Sequence, residues 1–452
     1  MRHTRDVSSP PWYERRLGRR GSIATVTVSV LAFMCAFAVE LAIRPGDYIT
    51  HSDVPLYSQY GSDVLAGELP YRDFELEYPP GALPMFVLPA SRLVAFGPTG
   101  GAVWTPPNAA ARRYHRAFEA LVLLLGGAVV ILTGMSLSIV RRPRRVVFLS
   151  LGVVALAPLL IGDVYPERFD VWPAALTAAA LAAAVRGRVR LGGALLGLAA
   201  AAKVYPLLLL PVLLIVVARH RGLREAALVT ASAVGAAAAV FLPFAITSFS
   251  GTWQALRIQF EGGLQIESLG SAVLVLASHA SRVPARLGLP GGQFTVTDRA
   301  AEHGLSRGVL VGPGTGATAT TLNLLLVGAL LLIWVSLLRS RAGAREDLVR
   351  YSAATVTAAV ALGSVLSPQY LIWLIPLVPL VGGHRGIAAT VALAASATLT
   401  HVWFPWGYFQ YAAGLGVGPT MLLLARDLAL LATAALIVVP RRQGGPASPA
   451  AG

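Results

Sequence analysis

Charged residues are scarce in this sequence: they make up 13% of its 452 residues, whereas 55% are hydrophobic. A soluble domain needs charged side chains over much of its surface, so this composition excludes one of useful size and predicts an integral membrane protein. The net charge of +15 does not predict a nucleic-acid partner, because the basic residues stand in short clusters between apolar runs. Such clusters orient membrane helices. The expected surroundings are therefore membrane lipids and no nucleic acid.

Cysteine and lysine each occur once. Cys35 stands in an apolar run, so an intrachain disulfide is excluded and thiol catalysis is disfavoured. Lys203 is the one lysine among 37 basic residues, the others being arginine. Snorkelling to the membrane surface is the plain explanation of Lys203, but an arginine would snorkel equally well. The single lysine therefore indicates a specific use, and a lipid phosphate is the natural partner for its point charge.

Motifs for metal and nucleotide binding are also missing. The sequence contains no Asp-x-Asp pair, no Cys/His cluster, no phosphate-binding loop and no Gly-x-Ser-x-Gly elbow. These absences disfavour an enzyme that binds a metal-bridged nucleotide. We therefore expect neither a metal nor a cofactor.

Long apolar runs dominate what is present. A spanning helix needs roughly 20 apolar residues, and the runs predict about 12 of them. They are expected at residues 22–43, 116–140, 146–162, 171–185, 191–218 (two helices), 226–246, 320–338, 351–381 (two helices), 387–403 and 415–439. This arrangement puts every basic cluster on the cytoplasmic side, except for scattered arginines in one long outer loop. The predicted fold class is an all-α integral protein of the plasma membrane with both termini cytoplasmic.

The predicted organisation is one transmembrane domain with short tails. Residues 1–21 and 440–452 are expected to be cytoplasmic tails, the second disordered, and the first apolar run shows no cleavage site, so it is expected to remain as a helix. Two long outer loops are predicted at 44–115 and 247–319. The first contains an apolar segment at 78–96 that four prolines interrupt, which predicts an interfacial or re-entrant segment.

The first outer loop concentrates acidic residues. It holds seven of the 22 in the chain, which are Asp47, Asp53, Asp63, Glu68, Asp73, Glu75 and Glu77. Asp53 lies a few residues beyond the first helix, within HSDVPLY, near the aromatic side chains of Tyr48, Tyr57 and Tyr60. A carboxylate shielded in this way could act as a general base. The plain alternative is a helix N-cap for a following surface helix.

Other polar residues are expected at the same outer surface. Glu167, Arg168 and Asp170 stand together at 167–170, where a structural ion pair and a ligand role are equally reasonable. Gln265 and Glu267 offer polar groups in the second outer loop, with loop packing as the alternative. In the last span, Arg426 and Asp427 are expected to neutralise each other.

His401 precedes the aromatic segment WFPWGYFQY at 403–411. Aromatic side chains at the end of a span are typical of an interfacial belt, which is the plain interpretation of this segment. The same ring faces could stack on a sugar, and His401 is the polar candidate beside them.

Six stretches together resemble glycosyltransferase family 87, membrane mannosyltransferases of the GT-C architecture that use a polyprenyl-phosphate-mannose donor. They are SDVPLY, LAGELPYRDFELEYPPGAL, RFDVWPAALTAAAL, GLAAAAKVYPLLLLP, GLQIESL and SPQYLIWLIPL, spread over 52–377. The Tyr-Pro-Pro element also resembles one in lipid A aminoarabinose transferases. The resemblance implies a GT-C fold and an inverting transfer to a lipid or glycan acceptor outside the membrane.

The resemblance also implies roles for individual residues. Asp53 would be the catalytic base, and Lys203 with Arg168 would bind the phosphate of the donor. Apart from the resemblance, the residues that we expect to contact substrate at the outer surface are Tyr57, Glu77, Tyr78, Asp170, Gln265, Glu267, Gln369 and His401. Asp47, Asp63 and Asp73 share the loop with Asp53, and only the motif match prefers Asp53. No metal or nucleotide is needed in this scheme.

Three alternatives stay open at this point. A GT-C enzyme could move another lipid-linked sugar, such as arabinofuranose or aminoarabinose, because sugar choice depends on the shape of the pocket. A lipid or solute transporter would place its functional charges near the middle of the bilayer. A non-catalytic assembly partner could also keep the fold.

Overall fold

The computed structural model describes residues 11–44, 52–91, 109–260, 262–280, 295–298 and 308–438, and all structural statements below concern these residues. The helices of the first half are α1 (Arg19–Ile43), α2 (Val54–Leu65), α3 (Leu83–Ser91), α4 (Ala109–Ile139), α5 (Arg144–Ala155), α6 (Ala157–Ile161), α7 (Val164–Glu167), α8 (Val171–Val185), α9 (Val189–Ala202) and α10 (Leu209–Arg221). Short 3-10 turns at Pro80–Ala82 and Tyr205–Leu208 precede α3 and α10.

The second half is also mainly helical. Its helices are α11 (Leu223–Thr247), α12 (Phe249–Ile258), α13 (Leu269–Ala280), α14 (Thr315–Leu338), α15 (Ala344–Leu362), α16 (Tyr370–Leu374), α17 (Gly383–Trp403), α18 (Trp406–Gly414) and α19 (Val417–Val438). A 3-10 turn at Val378–Leu380 follows α16. Strands β1 (Thr295–Asp298) and β2 (Gly308–Val311) pair antiparallel and form a small exception to the all-α architecture.

Six of the described helices, α1, α4, α11, α14, α17 and α19, are long and apolar enough to cross a membrane. They coincide with six of the predicted spans. The other six predicted spans coincide with shorter or broken helices. The prediction of an all-α, multi-pass membrane protein is therefore confirmed.

Two predicted spans are not single helices. The helix expected at 146–162 divides at Leu156 into α5 and α6, and the second arm of 351–381 consists of α16 and a 3-10 turn. Pro158 and Pro376 stand at these breaks. A proline lacks the backbone N–H of a helical hydrogen bond and its ring crowds the preceding turn, which explains why neither helix continues.

Most basic clusters gather at one end of the helix bundle, whereas Arg112, Arg113 and Arg116 stand at the opposite end, in the first turns of α4. Ion pairs at the first end join the turns between helices, with Arg142 bound to Glu346 at 2.7 Å and Arg219 bound to Asp347 at 3.1 Å. The guanidinium of Arg345 donates to the carbonyl oxygen of Val185 in the same region. The acidic first loop and Lys203, at the end of α9, lie at the opposite end of these helices. Which end faces the cytoplasm stays a prediction.

The segment around the Tyr-Pro-Pro element is short and packed. Helix α3 has nine residues, with Pro89 inside it, and at 1.5 Å per residue it extends only about 14 Å, too little to cross a bilayer. It packs against α2 and α4. The carbonyl of Gly81 accepts a hydrogen bond of 2.9 Å from the indole of Trp172. A Cβ at Gly81 would lie 2.6 Å from the backbone of Ala201, so only glycine lets this turn rest on the end of α9.

Candidate active site

Asp53 immediately precedes α2, in the N-cap position, but its carboxylate does not cap the helix. The Oδ2 atom instead lies 2.5 Å from Nη1 of Arg168 and accepts a hydrogen bond of 3.4 Å from the Tyr57 hydroxyl. The hydroxyl of Ser52 accepts from the Val54 N–H at the start of the helix. The Asp53 side chain is 31% exposed, whereas Arg168 is 9% exposed. A ligand can therefore reach the carboxylate while its partner stays buried.

Aromatic rings form one wall beside this pair. Tyr57 stacks on Phe86 at 4.6 Å between centroids, and Tyr78 meets Phe169 edge-on at 4.9 Å. Burial raises the pKa of both tyrosines far above the ordinary value, so their hydroxyls stay protonated. Burial alone would lower the pKa of Arg168, but the nearby charge of Asp53 raises it above the ordinary value and keeps the guanidinium charged.

Asp170 and Lys203 form a second ion pair, two residues further along the chain from Arg168. Oδ1 of Asp170 accepts hydrogen bonds of 2.7 Å from Nζ of Lys203 and 2.7 Å from the indole of Trp373. Its Oδ2 is buried with no hydrogen-bond partner among the described residues. The ammonium lies 4.8 Å from the ring centre of Phe169 and 5.4 Å from that of Trp373. Cation–π attraction holds the cation at this place.

We call Asp53, Arg168, Asp170 and Lys203 the active-site cluster. The sequence Arg168-Phe169-Asp170 brings its two ion pairs together, because alternate residues of this short turn before α8 meet Asp53 on one side and Lys203 on the other. Lys203 is 11% exposed and Asp170 only 1%. The cluster combines two carboxylates and two cations, so its formal charge is balanced.

The other carboxylates of the first loop lie elsewhere. Asp73 is bound to the neighbouring Arg72 at 2.8 Å, which lowers the pKa of Asp73 at a solvent-exposed position. Burial and then the charge of Glu68 raise the pKa of Asp63, on α2. Asp47 and Tyr48 lie outside the described residues. Of the described aspartates in this loop, Asp53 is the one paired with Arg168.

Glu77 borders a cavity beside the site. The Glu77 side chain is buried, and its carbonyl oxygen accepts a hydrogen bond of 2.8 Å from the amide of Gln259. The cavity has a volume of about 300 Å³ and lies between residues 71–77 and helix α12. The predicted substrate residues Glu77 and Tyr78 thus lie between this cavity and the active-site cluster.

Gln265 and Glu267 stand in the segment before α13. The amide of Gln265 donates to the Glu267 carboxylate at 3.3 Å. Burial raises the pKa of Glu267 to about 8, although the charges of Arg426 and Arg168 act in the opposite direction. The Gln265 N–H donates to the carbonyl oxygen of Ser364 at 3.0 Å, and the segment that follows Ser364 leads to Tyr370, whose ring lies 5.7 Å from the Lys203 ammonium. Arg426 is bound to Asp427 at 2.8 Å, as expected for local neutralisation, and it also donates to the carbonyl oxygen of Glu267.

Gln369 and His401, both predicted to contact substrate, lie in different parts of the structure. Gln369 comes directly before Tyr370, whose ring lies 5.7 Å from the Lys203 ammonium. The Nδ1 atom of His401 is 2.7 Å from the carbonyl oxygen of Leu159, and its ring packs on Gly162. His401 therefore contacts the turn that precedes Arg168, and its contact with substrate stays a prediction.

The aromatic segment after His401 is not simply a surface belt. Trp403 and Tyr411 are fully buried, in a small core with Leu423 of α19. The interfacial interpretation is wrong for these two rings, because α18 folds back against α19 and covers them. The side chains of Trp406 and Phe409 lie outside the described residues.

A further group of polar side chains was missed by the sequence analysis, apart from Glu167. We call it the clasp cluster: Arg44, Ser52, His115, Glu119 and Glu167. Arg44 donates to Glu167 at 2.6 Å and to Glu119, and His115 lies 2.8 Å from Glu167. The Ser52 hydroxyl donates to the same Glu167. Ionisable residues inside apolar runs, such as Glu119 in α4, were the signal that could have found it.

The clasp cluster offers ligand atoms for a metal. One atom from each of His115, Glu119 and Glu167 lies within 4.8 Å of the others. The guanidinium of Arg44 already binds both carboxylates. It supplies the positive charge that a metal would otherwise bring, so these residues fit an arginine-centred network better than a metal centre.

No protein-family model and no curated protein matches the sequence. Similar solved structures include ArnT from Cupriavidus metallidurans bound to undecaprenyl phosphate and the same protein in the apo state. These are 13% and 14% identical to this chain, with a TM-score of 0.44 in each case. Each match covers 92% of this chain and 77% of the ArnT chain. A likeness of this degree carries no argument about function, which has to rest on the site.

Proposed function

We propose that this protein is an inverting GT-C glycosyltransferase that moves a sugar from a polyprenyl-phosphate donor to a hydroxyl group of a lipid or glycan acceptor. The resemblance to family 87 favours mannose as the sugar and the outer face of the membrane as the place of transfer. Asp53 is the base in this proposal, and Lys203 with Arg168 receives the phosphate.

One observation carries the proposal. Asp53 and Lys203 are 150 positions apart in the sequence, yet they pair with Arg168 and Asp170 on either side of Phe169. A carboxylate that can accept a proton thus lies close to a cation that can bind a phosphate, at one end of an apolar helix bundle. A lipid-linked sugar phosphate presents its reacting carbon and its phosphate at such a place, with its chain in the membrane.

The reaction assigns one task to the Asp53 carboxylate and another to the two cations. The acceptor oxygen bonds to the anomeric carbon from the side opposite the phosphate, and its proton passes to the Asp53 carboxylate. The bond between the anomeric carbon and the phosphate oxygen breaks, and its electron pair remains on the phosphate. A cation next to that oxygen stabilises the charge as it develops.

The existing ion pairs permit a phosphate to bind. The ammonium of Lys203 has three N–H donors and can bind Asp170 and a phosphate oxygen together. Nε of Arg168 is buried and has no hydrogen-bond partner among the described residues. These two donors are the phosphate contacts that we propose.

The geometry favours an enzyme over a transporter. A transporter with functional charges near the middle of the bilayer would hold Arg426 and Asp427 in a water-filled cavity, with the acidic loop far from any pocket. Both side chains are instead fully buried, and residues of the acidic loop line the cavity of about 300 Å³.

The test is transfer of radiolabelled mannose from polyprenyl-phosphate mannose to endogenous acceptors in membranes that contain the protein, with excess chelator. We expect Asp53→Asn to lower the rate by about 10²–10⁴, because asparagine cannot accept the proton. Asp63→Asn is the matched control in the same loop and should retain transfer. Equal rates for the wild type and Asp53→Asn would remove Asp53 as the base. If the wild type transfers another lipid-linked sugar and not mannose, the proposed polyprenyl-phosphate donor is retained and mannose is replaced by that sugar.

A further inference from the structure

A second buried polar cluster lies beside the active-site cluster. It consists of Gln265 and Glu267 from the segment before α13 and of Arg426 and Asp427 from α19. The segment is held on three sides. The Gln265 N–H donates to the carbonyl oxygen of Ser364 at 3.0 Å, and the neighbouring Ile266 N–H donates to the carbonyl oxygen of Gly308, the first residue of β2. Arg426 donates to the carbonyl oxygen of Glu267. The backbone that carries these side chains is therefore fixed.

The side chains themselves are incompletely paired. Four buried atoms have no hydrogen-bond partner among the described residues: Oε1 of Gln265, Oε1 of Glu267, Nη1 of Arg426 and Oδ2 of Asp427. Each of the four residues is at most 6% exposed. Buried polar atoms in folded proteins are nearly always hydrogen-bonded. Two acceptors, the guanidinium donor of Arg426 and a carboxyl oxygen of Glu267 in one place therefore indicate a ligand that offers several hydrogen-bonding groups.

The charge of the cluster indicates what kind of ligand this is. Arg426 and Asp427 neutralise each other, and burial raises the pKa of Glu267 to about 8, so Glu267 is mostly protonated at neutral pH. The negative charge of the Asp427 carboxylate would repel a phosphate, and the positive charge of the Arg426 guanidinium would repel a cation. A neutral ligand with hydroxyl groups, which both donate and accept, matches a carboxyl, an amide and a balanced ion pair.

The position of the cluster connects it to the reaction. The Gln265 N–H is bonded to the carbonyl oxygen of Ser364, and the segment that follows Ser364 carries Tyr370, whose ring lies 5.7 Å from the Lys203 ammonium. Trp373 of the same segment donates to Asp170 at 2.7 Å. A sugar whose anomeric carbon lies beside Asp53 and Arg168 would extend its hydroxyl groups towards Glu267.

We propose that Gln265, Glu267, Arg426 and Asp427 form a subsite for the hydroxyl groups of the donor sugar, which rests on the proposed function. Gln265 and Glu267 bind the hydroxyl groups. Arg426 is a positioning residue through its bond to the Glu267 carbonyl, and its free Nη1 and the Oδ2 of Asp427 complete the subsite. The pair in the last helix thus contributes to sugar recognition as well as neutralising charge within the bundle.

The test compares two lipids that differ only in the sugar. The purified protein in lipid nanodiscs is titrated with polyprenyl phosphate and with polyprenyl-phosphate mannose. We expect Glu267→Ala to weaken binding of the sugar-bearing lipid by about tenfold or more, the value of one or two lost hydrogen bonds, without weakening binding of the sugar-free lipid. Glu267→Gln should retain most of the affinity, because a carboxamide also donates and accepts.

Two controls separate binding from folding. Gln265→Ala removes a side-chain amide without touching the contact between Arg426 and the Glu267 backbone, so it tests the subsite if Glu267→Ala fails to fold. Glu225→Ala breaks an ion pair with Arg190 at the basic end of the bundle and should leave both affinities unchanged.

The outcomes distinguish this inference from the proposed function. If Glu267→Ala and Gln265→Ala weaken the two lipids equally, or neither lipid, the subsite is overturned and the cluster is filled by water. If the sugar adds nothing to the affinity of the wild type, the subsite is also overturned, whereas a phosphate-lipid site remains. If the wild type binds neither lipid, both the proposed function and the subsite are contradicted.

Discussion

The active-site cluster and the clasp cluster are neighbours in the chain and differ in how completely they are paired. Ser52 and Glu167 belong to the clasp cluster, and the very next residues, Asp53 and Arg168, belong to the active-site cluster. Glu167 has contacts with Arg44, His115 and Ser52, whereas Arg168 keeps an unpartnered Nε among the described residues. A closed network fixes the backbone, so that the adjacent residues can remain available to a ligand.

The largest effect should come from removing the centre of the clasp cluster. Arg44→Met leaves Glu119 and Glu167 buried without their main cation. We expect a loss of about 3–5 kcal/mol in the free energy of unfolding, as for other buried ion pairs that lose one partner. Thermal unfolding of the purified protein, followed by intrinsic fluorescence, measures this change. Arg72→Met, which removes an exposed partner of Asp73, is the matched control and should have little effect.

The same variant also tests the cluster as a metal site. With Arg44 gone, His115, Glu119 and Glu167 keep their ligand atoms within 4.8 Å of one another. Added Zn²⁺ should then raise the unfolding temperature of Arg44→Met and leave that of the wild type unchanged. A rise in the wild type would mean that the cluster binds a metal with Arg44 in place.

The next effect concerns the cation of the active-site cluster. Lys203→Met alone would leave the buried Asp170 carboxylate without its cation, so the informative variant is Lys203→Met with Asp170→Asn. We expect it to fold and to bind polyprenyl phosphate about 10–100-fold more weakly, since a charge-assisted hydrogen bond contributes about 1.5–3 kcal/mol. Asp170→Asn alone is the control that retains the ammonium. Unchanged binding by the double variant would assign the phosphate to other residues.

The sequence predicted the helices much better than the pairing between them. Apolar length is a local property, so the runs that became α1, α4 and α19 could be found directly. Lys203 could be singled out because it is the one lysine of the chain, whereas only the motif match preferred Asp53 among the aspartates of its loop. The pairing of Arg44 with Glu119 depends on how far α1 extends beside α4, which no local pattern records. His401 was predicted to contact substrate, yet the turn at Gly162 determines what it touches.

The smallest effect should come from the serine that joins the two clusters. Ser52→Ala removes the hydrogen bond to Glu167 and the hydroxyl that accepts from Val54, without changing any charge. A neutral hydrogen bond contributes about 1 kcal/mol, which corresponds to about fivefold. Because Ser52 positions Asp53 and does not touch the donor, the turnover rate should fall by this amount at unchanged affinity for polyprenyl-phosphate mannose. Ser52→Thr, which keeps the hydroxyl, should restore the rate. Weaker donor binding with a normal turnover rate would instead place Ser52 in the donor site and remove the division between the two clusters.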